Sequence, residues 1–150
     1  MKKYIVTLCF IAIGVFAIAK VNTILGADAI VGKWLTQDKD GHIEIYKVGN
    51  KYFGKLVWMN EPYEADGKTL KKDKNNPDAK LKSRTLQNMV LISDFVYDSD
   101  NEWEDGTIYD PTSGKTYSCN MELQDDGKLE VTGYIGLSFI GKTVVWTKVN

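Results

Sequence analysis

From Val31 onward, apolar residues return at every second position in short runs, and no stretch at helical spacing lasts beyond two turns. The clearest run sets Tyr117, Cys119, Met121 and Leu123 on one face and Thr116, Ser118, Asn120 and Glu122 on the other. That is the period of a strand with one dry and one wet side. The alternation recurs in Ile43 and Ile45 against His42 and Glu44, in Leu129, Val131, Gly133 and Ile135 against Lys128, Glu130 and Thr132, and in Val144 and Trp146. Met89 to Tyr97 differs: Met89, Leu91 and Phe95 fall on one face and Val90, Ile92 and Val96 on the other, so both faces are apolar and extra cover is expected.

Asp40-Gly41, Gly49-Asn50, Pro111 with Gly114, and Asp126-Gly127 separate the runs with hairpin chemistry, so consecutive strands pair with their sequence neighbours. Runs near 31–36, 42–48, 51–58, 88–97, 103–110, 115–123, 128–135 and 141–149 predict about eight strands in meander order. The expected fold is all-β, an antiparallel meander closed into a barrel whose interior holds side chains or one small ligand, with an open two-sheet sandwich as the rival. One connection is long: Met59 to Ser83 carries Pro62, Gly67, Pro77 and many charges, too polar for a core and of the length that makes lids and binding loops.

The chain has 150 residues, enough for one core. Residues 1–29 stand apart from the strand pattern. Met1-Lys2-Lys3 precedes an uncharged, largely apolar run from Tyr4 to Ala19, the layout of a signal peptide, with small-residue cleavage sites at Ala17-Ile18-Ala19 and Ala27-Asp28-Ala29. The run is shorter than the ~20 residues that span a bilayer, and no small residue precedes Cys9 to suggest a lipid anchor. An exported protein, periplasmic or extracellular, with a single domain over residues 30–150 is expected, cut after Ala19 or Ala29. Losing residues 1–29 removes three of 19 basic and one of 20 acidic residues, so 16 and 19 remain and the net charge is −3 with His neutral. That balance offers no basic footprint for phosphates, and nucleic-acid binding is not expected. Cys119 would be the sole remaining cysteine, so no disulfide can form within the mature chain.

Few residues suggest chemistry. Asp110-Pro111-Thr112-Ser113-Gly114 is a self-sufficient turn, in which Pro fixes φ, the Asp and Ser side chains bond backbone N–H groups, and Gly takes positive φ. Arg84, the one arginine, is suited to hold a carboxylate through two parallel bonds, either in a structural pair with Asp78 or Asp110 or as a ligand anchor. Trp103, Tyr109 and Tyr117 alternate toward one side and either fill the core or line a cavity with polar-tipped rings. Asp98, Asp100, Glu102 and Glu104 invite a calcium reading, but Trp103 and Tyr109 stand where an EF-hand needs Gly and Glu. The lone His42 rules out a multi-histidine zinc site, and Cys119, on an apolar face, reads as a small hydrophobe rather than a nucleophile. No metal and no cofactor are expected.

Gly32-x-Trp34 at the start of the first strand resembles the opening of lipocalins, where Trp plugs the closed end and Gly lets a neighbour lie close. A finer resemblance runs through Asn76-Pro77-Asp78, Arg84, Trp103 and Asp105-Gly106-Thr107-Ile108-Tyr109-Asp110-Pro111-Thr112-Ser113-Gly114-Lys115-Thr116-Tyr117. With Leu129-x-Val131-x-Gly133-Tyr134 and Gly141-Lys142-x-x-x-Trp146, it is similar to the exported bacterial family known as domain of unknown function 2147. The resemblance spans nearly the whole mature chain and implies a lipocalin-like barrel with an unassigned activity. Gln87-Asn88 stands where that family commonly has a Gly after Arg-x-Leu.

Three functions fit: a carrier of a small apolar or amphipathic ligand in the barrel, a protein-interaction module of the cell envelope using the long loop, and an enzyme built on Arg84, Asp105 and Asp110. The carrier is the leading expectation, with Arg84, Trp103, Tyr109, Asp110, Tyr117 and Tyr134 as candidate ligand contacts, no catalytic residue assigned, and a monomer expected.

Overall fold

The computed structural model describes residues 26–134 and 141–149. Eight strands follow one another around a closed antiparallel barrel: β1 (Gly32–Leu35), β2 (Gly41–Val48), β3 (Lys51–Met59), β4 (Val90–Tyr97), β5 (Glu102–Asp110), β6 (Lys115–Leu123), β7 (Leu129–Tyr134) and β8 (Gly141–Lys148). Trp34 opposite Lys148 and Leu35 opposite Thr147 join the first strand to the last, so the closed barrel stands and the sandwich falls. Closure leaves no exposed edge among these strands. Residues 1–25 of the expected signal peptide, Cys9 within it, and Ile135 lie outside the described residues.

Every second side chain points inward, and the inward set divides the barrel into two halves. At the end carrying the β2–β3, β4–β5 and β6–β7 hairpins, Trp34, Tyr52, Phe95, Trp103, Met121 and Leu129 are buried against one another. Trp103 stands edge-on to Tyr52, with ring centroids 6.3 Å apart. Trp34 plugs this end as the Gly-x-Trp signature implies: its Nε1 donates to the Ile30 carbonyl at 2.8 Å, and the Lys148 ammonium lies 5.4 Å from its ring. Gly32 takes φ 130°, a conformation that side-chain-bearing residues rarely adopt, although a Cβ there would meet Lys148 Cε only at an ordinary 3.6 Å.

Irregularities in β3, β4 and β5 break the alternation, β3 taking two steps from Trp58 to Leu56 against one on β2 from His42 to Ile43. Between the pairs Trp103–Met121 and Gly106–Cys119, β5 uses three steps against two on β6, and Asp105 takes φ 58°. Between Tyr52–Phe95 and Gly54–Ile92, β4 does the same against β3, with Asp94 at φ 67°. Each is a bulge that reverses the facing of the residues next to it, and β4 shifts register once more between Ile92 and Val90. Ile92 and Phe95, placed on opposite faces by strict alternation, are therefore both buried inside.

The bulged β4 presses its side chains onto glycines of its neighbours. A Cβ on Gly106 would lie 2.3 Å from the Phe95 ring, and one on Gly54 would lie 2.5 Å from Ile92. Phe95 is fully buried and has nowhere to retreat. Gly106→Ala is therefore expected to cost about 1–3 kcal/mol by overpacking, read as a lower urea midpoint. Pairing it with Phe95→Leu should recover part of the loss, and an unchanged midpoint in the single variant would contradict this packing.

The connection between β3 and β4 is structured. Bridges pair Tyr63 with Leu70 and Lys72 with Thr85, and Asp73 and Asn76 are buried. Residues 60–83 add no member to the hydrophobic core, in keeping with their polarity, and the two buried residues among them are polar ones held by hydrogen bonds.

A half-empty barrel and an outer latch

The turn between β5 and β6 is built as its residues dictate. The Asp110 carboxylate accepts from Thr112 N–H at 2.8 Å and from the Ser113 hydroxyl at 2.6 Å, and Gly114 takes φ 69°. Ser113 thus bonds the carboxylate where a backbone N–H was expected. Asn75 from the long loop locks on from outside, its Nδ2 donating to the Thr112 carbonyl at 2.8 Å.

This turn, the β1–β2 turn and Lys142 of β8 ring the mouth of a cavity of about 460 Å³ in the half of the barrel away from Trp34 and Trp103. Ile43, Ile108, Val131, Val144 and Trp146 give it apolar walls, and Gly133 leaves space where a side chain would project. Tyr117, Gln37, Asp38, Asp40, Asp110 and Lys142 supply polar groups at the lining and mouth, so an apolar interior meets water through a polar rim.

Three of the six candidate contacts border this cavity: Tyr109, Asp110 and Tyr117. Trp103 does not, because it lies in the packed half at 0% exposure. Tyr134 does not either. The alternation that turns Val131 and Gly133 inward turns Tyr134 outward, into a polar cleft with Glu102, Glu122 and Glu130, and the sequence already carried that signal. Even spacing groups Tyr109 with Trp103, yet the bulge at Asp105 turns its hydroxyl away from the interior. An isolated Asp-Gly within a strand pattern is the signal that would have found this bulge.

Arg84 lies outside the barrel in a separate cleft and pairs with neither Asp78 nor Asp110. Its Nε donates to Asp73 Oδ2 at 2.9 Å, and its terminal nitrogen lies 2.8 Å from the same oxygen. Asp73 is fully buried and also accepts from the Tyr109 hydroxyl at 2.5 Å and from Asn76 Nδ2 at 2.7 Å. Burial pushes the Asp73 carboxyl up, but the bonds from Tyr109, Asn76 and Arg84 together outweigh it and hold the pKa below the ordinary 3.8. Burial and the Asp73 carboxylate push the Tyr109 phenol up, so it keeps its proton and donates. These four side chains latch the long loop onto the outer wall of the barrel. They were invisible as a set in the sequence, since Asp73 and Tyr109 are far apart along the chain.

Nothing gathers the residues that a reaction on Arg84, Asp105 and Asp110 would need. Arg84 is committed to Asp73, Asp105 is exposed on its bulge, and Asp110 is committed to its turn. Cys119 is 1% exposed, and burial pushes its thiol up to about 12, which leaves it protonated. Among the described residues no group of three or more His, Cys, Asp or Glu side chains is placed to hold a metal ion.

Comparison with known proteins agrees with the architecture. Protein HP1028 from the human pathogen Helicobacter pylori, described as belonging to the lipocalin family, superposes with a TM-score of 0.70 at 28% identity, covering 81% of this chain and 83% of that one. No curated protein matches the chain. The family model described as an uncharacterized protein conserved in bacteria (DUF2147) matches residues 32–148, and with the eight-stranded lipocalin-like barrel around its half-empty interior, the chain belongs to that family.

Proposed function

We propose that the protein is exported and carries a small, partly apolar ligand in the open half of its barrel. The observation that carries this reading is the cavity of about 460 Å³, apolar within and polar at its mouth. Its size falls in the range of small-molecule sites, and its construction is theirs: hydrophobic walls with a few polar groups that fix orientation. The lipocalin-like neighbour supports the reading as well, since a closed eight-stranded barrel has room inside for side chains or for one small ligand. The apolar part of the ligand would lie against Ile108, Val131, Val144 and Trp146, and its polar part would meet Tyr117, Asp110 and Lys142 at the rim. Arg84, Trp103 and Tyr134 have no part in it. Export rests on the basic start and apolar run of the first 19 residues.

Gly133 provides the test. A Cβ there would meet Ile108 at 3.7 Å and Tyr117 at 4.0 Å, ordinary contacts, so Gly133→Leu fills the cavity without disturbing the strand. Protein purified gently from its own host should show a stoichiometric small-molecule adduct in native mass spectra, and denaturation should release it for identification. The Gly133→Leu protein should show none, while its thermal midpoint stays equal or rises because an apolar void has been filled. A bare wild-type mass would overturn the carrier reading. So would an adduct that survives in the variant.

A further inference from the structure

The two cleavage sites of the leader are not equivalent in the folded protein, because the second lies inside a segment that the barrel uses. Residues 26–30 form a turn, with Ala29 N–H donating to the Gly26 carbonyl at 2.8 Å, set across the packed end of the barrel. The buried Trp103 donates its Nε1 to the Ala27 carbonyl at 3.0 Å. The Asp28 carboxylate accepts from the Tyr52 hydroxyl and from Lys47 Nζ, both at 2.6 Å. The Ala29 carbonyl accepts from Lys148 Nζ at 3.0 Å, and the Asp28 carbonyl from Val31 N–H at 3.0 Å. Ile30 itself is 0% exposed and packs in the core.

A cut after Ala29 would remove all of these acceptors at once. The Trp103 N–H would lose its acceptor, and a charged amino group would be created on Ile30, a fully buried residue. Buried donors without acceptors and buried charges without partners are both strongly unfavourable. The other site, Ala17-Ile18-Ala19, directly abuts the apolar run and lies outside the described residues. We propose that the leader is removed by hydrolysis of the Ala19–Lys20 peptide bond, and that Gly26–Ala29 stay in the mature protein as the plug of its closed end. Water adds its hydroxyl to the Ala19 carbonyl carbon and its proton to the Lys20 nitrogen, leaving Ala-Asp-Ala as an uncut sequence within the plug.

This inference rests on the export reading, and one experiment separates them. The full chain is produced in a bacterium, recovered from outside the cytoplasm, and its intact mass recorded. A chain beginning at Lys20 is expected. A chain beginning at Ile30, or an uncut chain outside the cytoplasm, would overturn the inference while leaving export intact, and retention of the whole chain in the cytoplasm would overturn both. Chains made to begin at Lys20 and at Ile30 supply the second measurement: the shorter should unfold at a urea concentration lower by about 1 M or more. Equal midpoints would show that the segment is no plug.

Discussion

Replacing Trp103 by Ala is expected to lower the urea midpoint by the equivalent of about 3–5 kcal/mol, a large part of the ~5–15 kcal/mol that holds a domain of this size together. Trp103 is 0% exposed, stands edge-on to Tyr52, lies 5.2 Å from the Tyr97 ring centroid, and donates to the Ala27 carbonyl. The substitution opens a void at the closed end and strips the N-terminal segment of its buried anchor. Because the ring is in the packed half, the affinity of the folded fraction for any small molecule in the other half should not change. Chemical unfolding followed with and without the ligand released by denaturation checks both statements. A weakened affinity with an unmoved midpoint would place Trp103 in the site and deny the packed plug. Gly133→Leu has the opposite signature: it fills the cavity and spares stability, whereas Trp103→Ala removes stability and spares the cavity.

Asp73→Ala carries the second large effect, about 2–4 kcal/mol, because it leaves three donors facing a hole where a buried carboxylate stood. The Arg84 side chain is 37% exposed and can turn to water, which keeps the cost below that of a fully buried pair, whereas the Tyr109 hydroxyl and Asn76 amide have less freedom. The latch also holds the loop, so trypsin should cut faster at Lys80, Lys82 and Arg84 in the variant than in the native protein. The pH dependence follows from the sign of the shift. The folded Asp73 carboxyl has its pKa below the ordinary 3.8, so as pH falls the unfolded chain takes up this proton first. The stability that Asp73 contributes is therefore fully present above that value and lost as pH drops toward the folded pKa. Urea midpoints between neutral pH and pH 3 should fall more steeply for the native protein than for Asp73→Asn. Parallel curves would mean that the carboxylate gains nothing from its three partners.

The positions of the strands were legible in the sequence within two residues, and so was their order. Alternation is a local signal, repeated in Tyr117 to Leu123 and in Leu129 to Gly133, and Gly49-Asn50 and Asp126-Gly127 fix hairpins without reference to anything distant. The plug at Trp34 and the Asp110 turn were legible for the same reason, since each is completed by residues within a few positions. The candidate site was legible only in part. Asp110 and Tyr117 reach the cavity lining, since no bulge lies between them and the turn they flank. Trp103 and Tyr109 were joined by a count of residues that the bulge at Asp105 makes invalid.

Local pattern alone thus specifies a meander of eight inward-and-outward strands, with hairpin turns and a capped end. Contacts between distant parts of the chain account for the rest: that β4 and β5 carry bulges, that Asp73 rather than Asp78 or Asp110 meets Arg84, and that the end of the barrel away from Trp103 keeps a cavity of about 460 Å³. The difference is one of range. A side chain's facing within an unbroken strand depends on its immediate neighbours, but a bulge forms where a partner strand must accommodate it, as Gly54 and Gly106 do beneath Ile92 and Phe95. A buried carboxylate is tolerated where donors from distant parts of the chain converge, and a cavity is what remains after every strand has placed its side chains. Each of these is settled by distances through space that no spacing along the chain records.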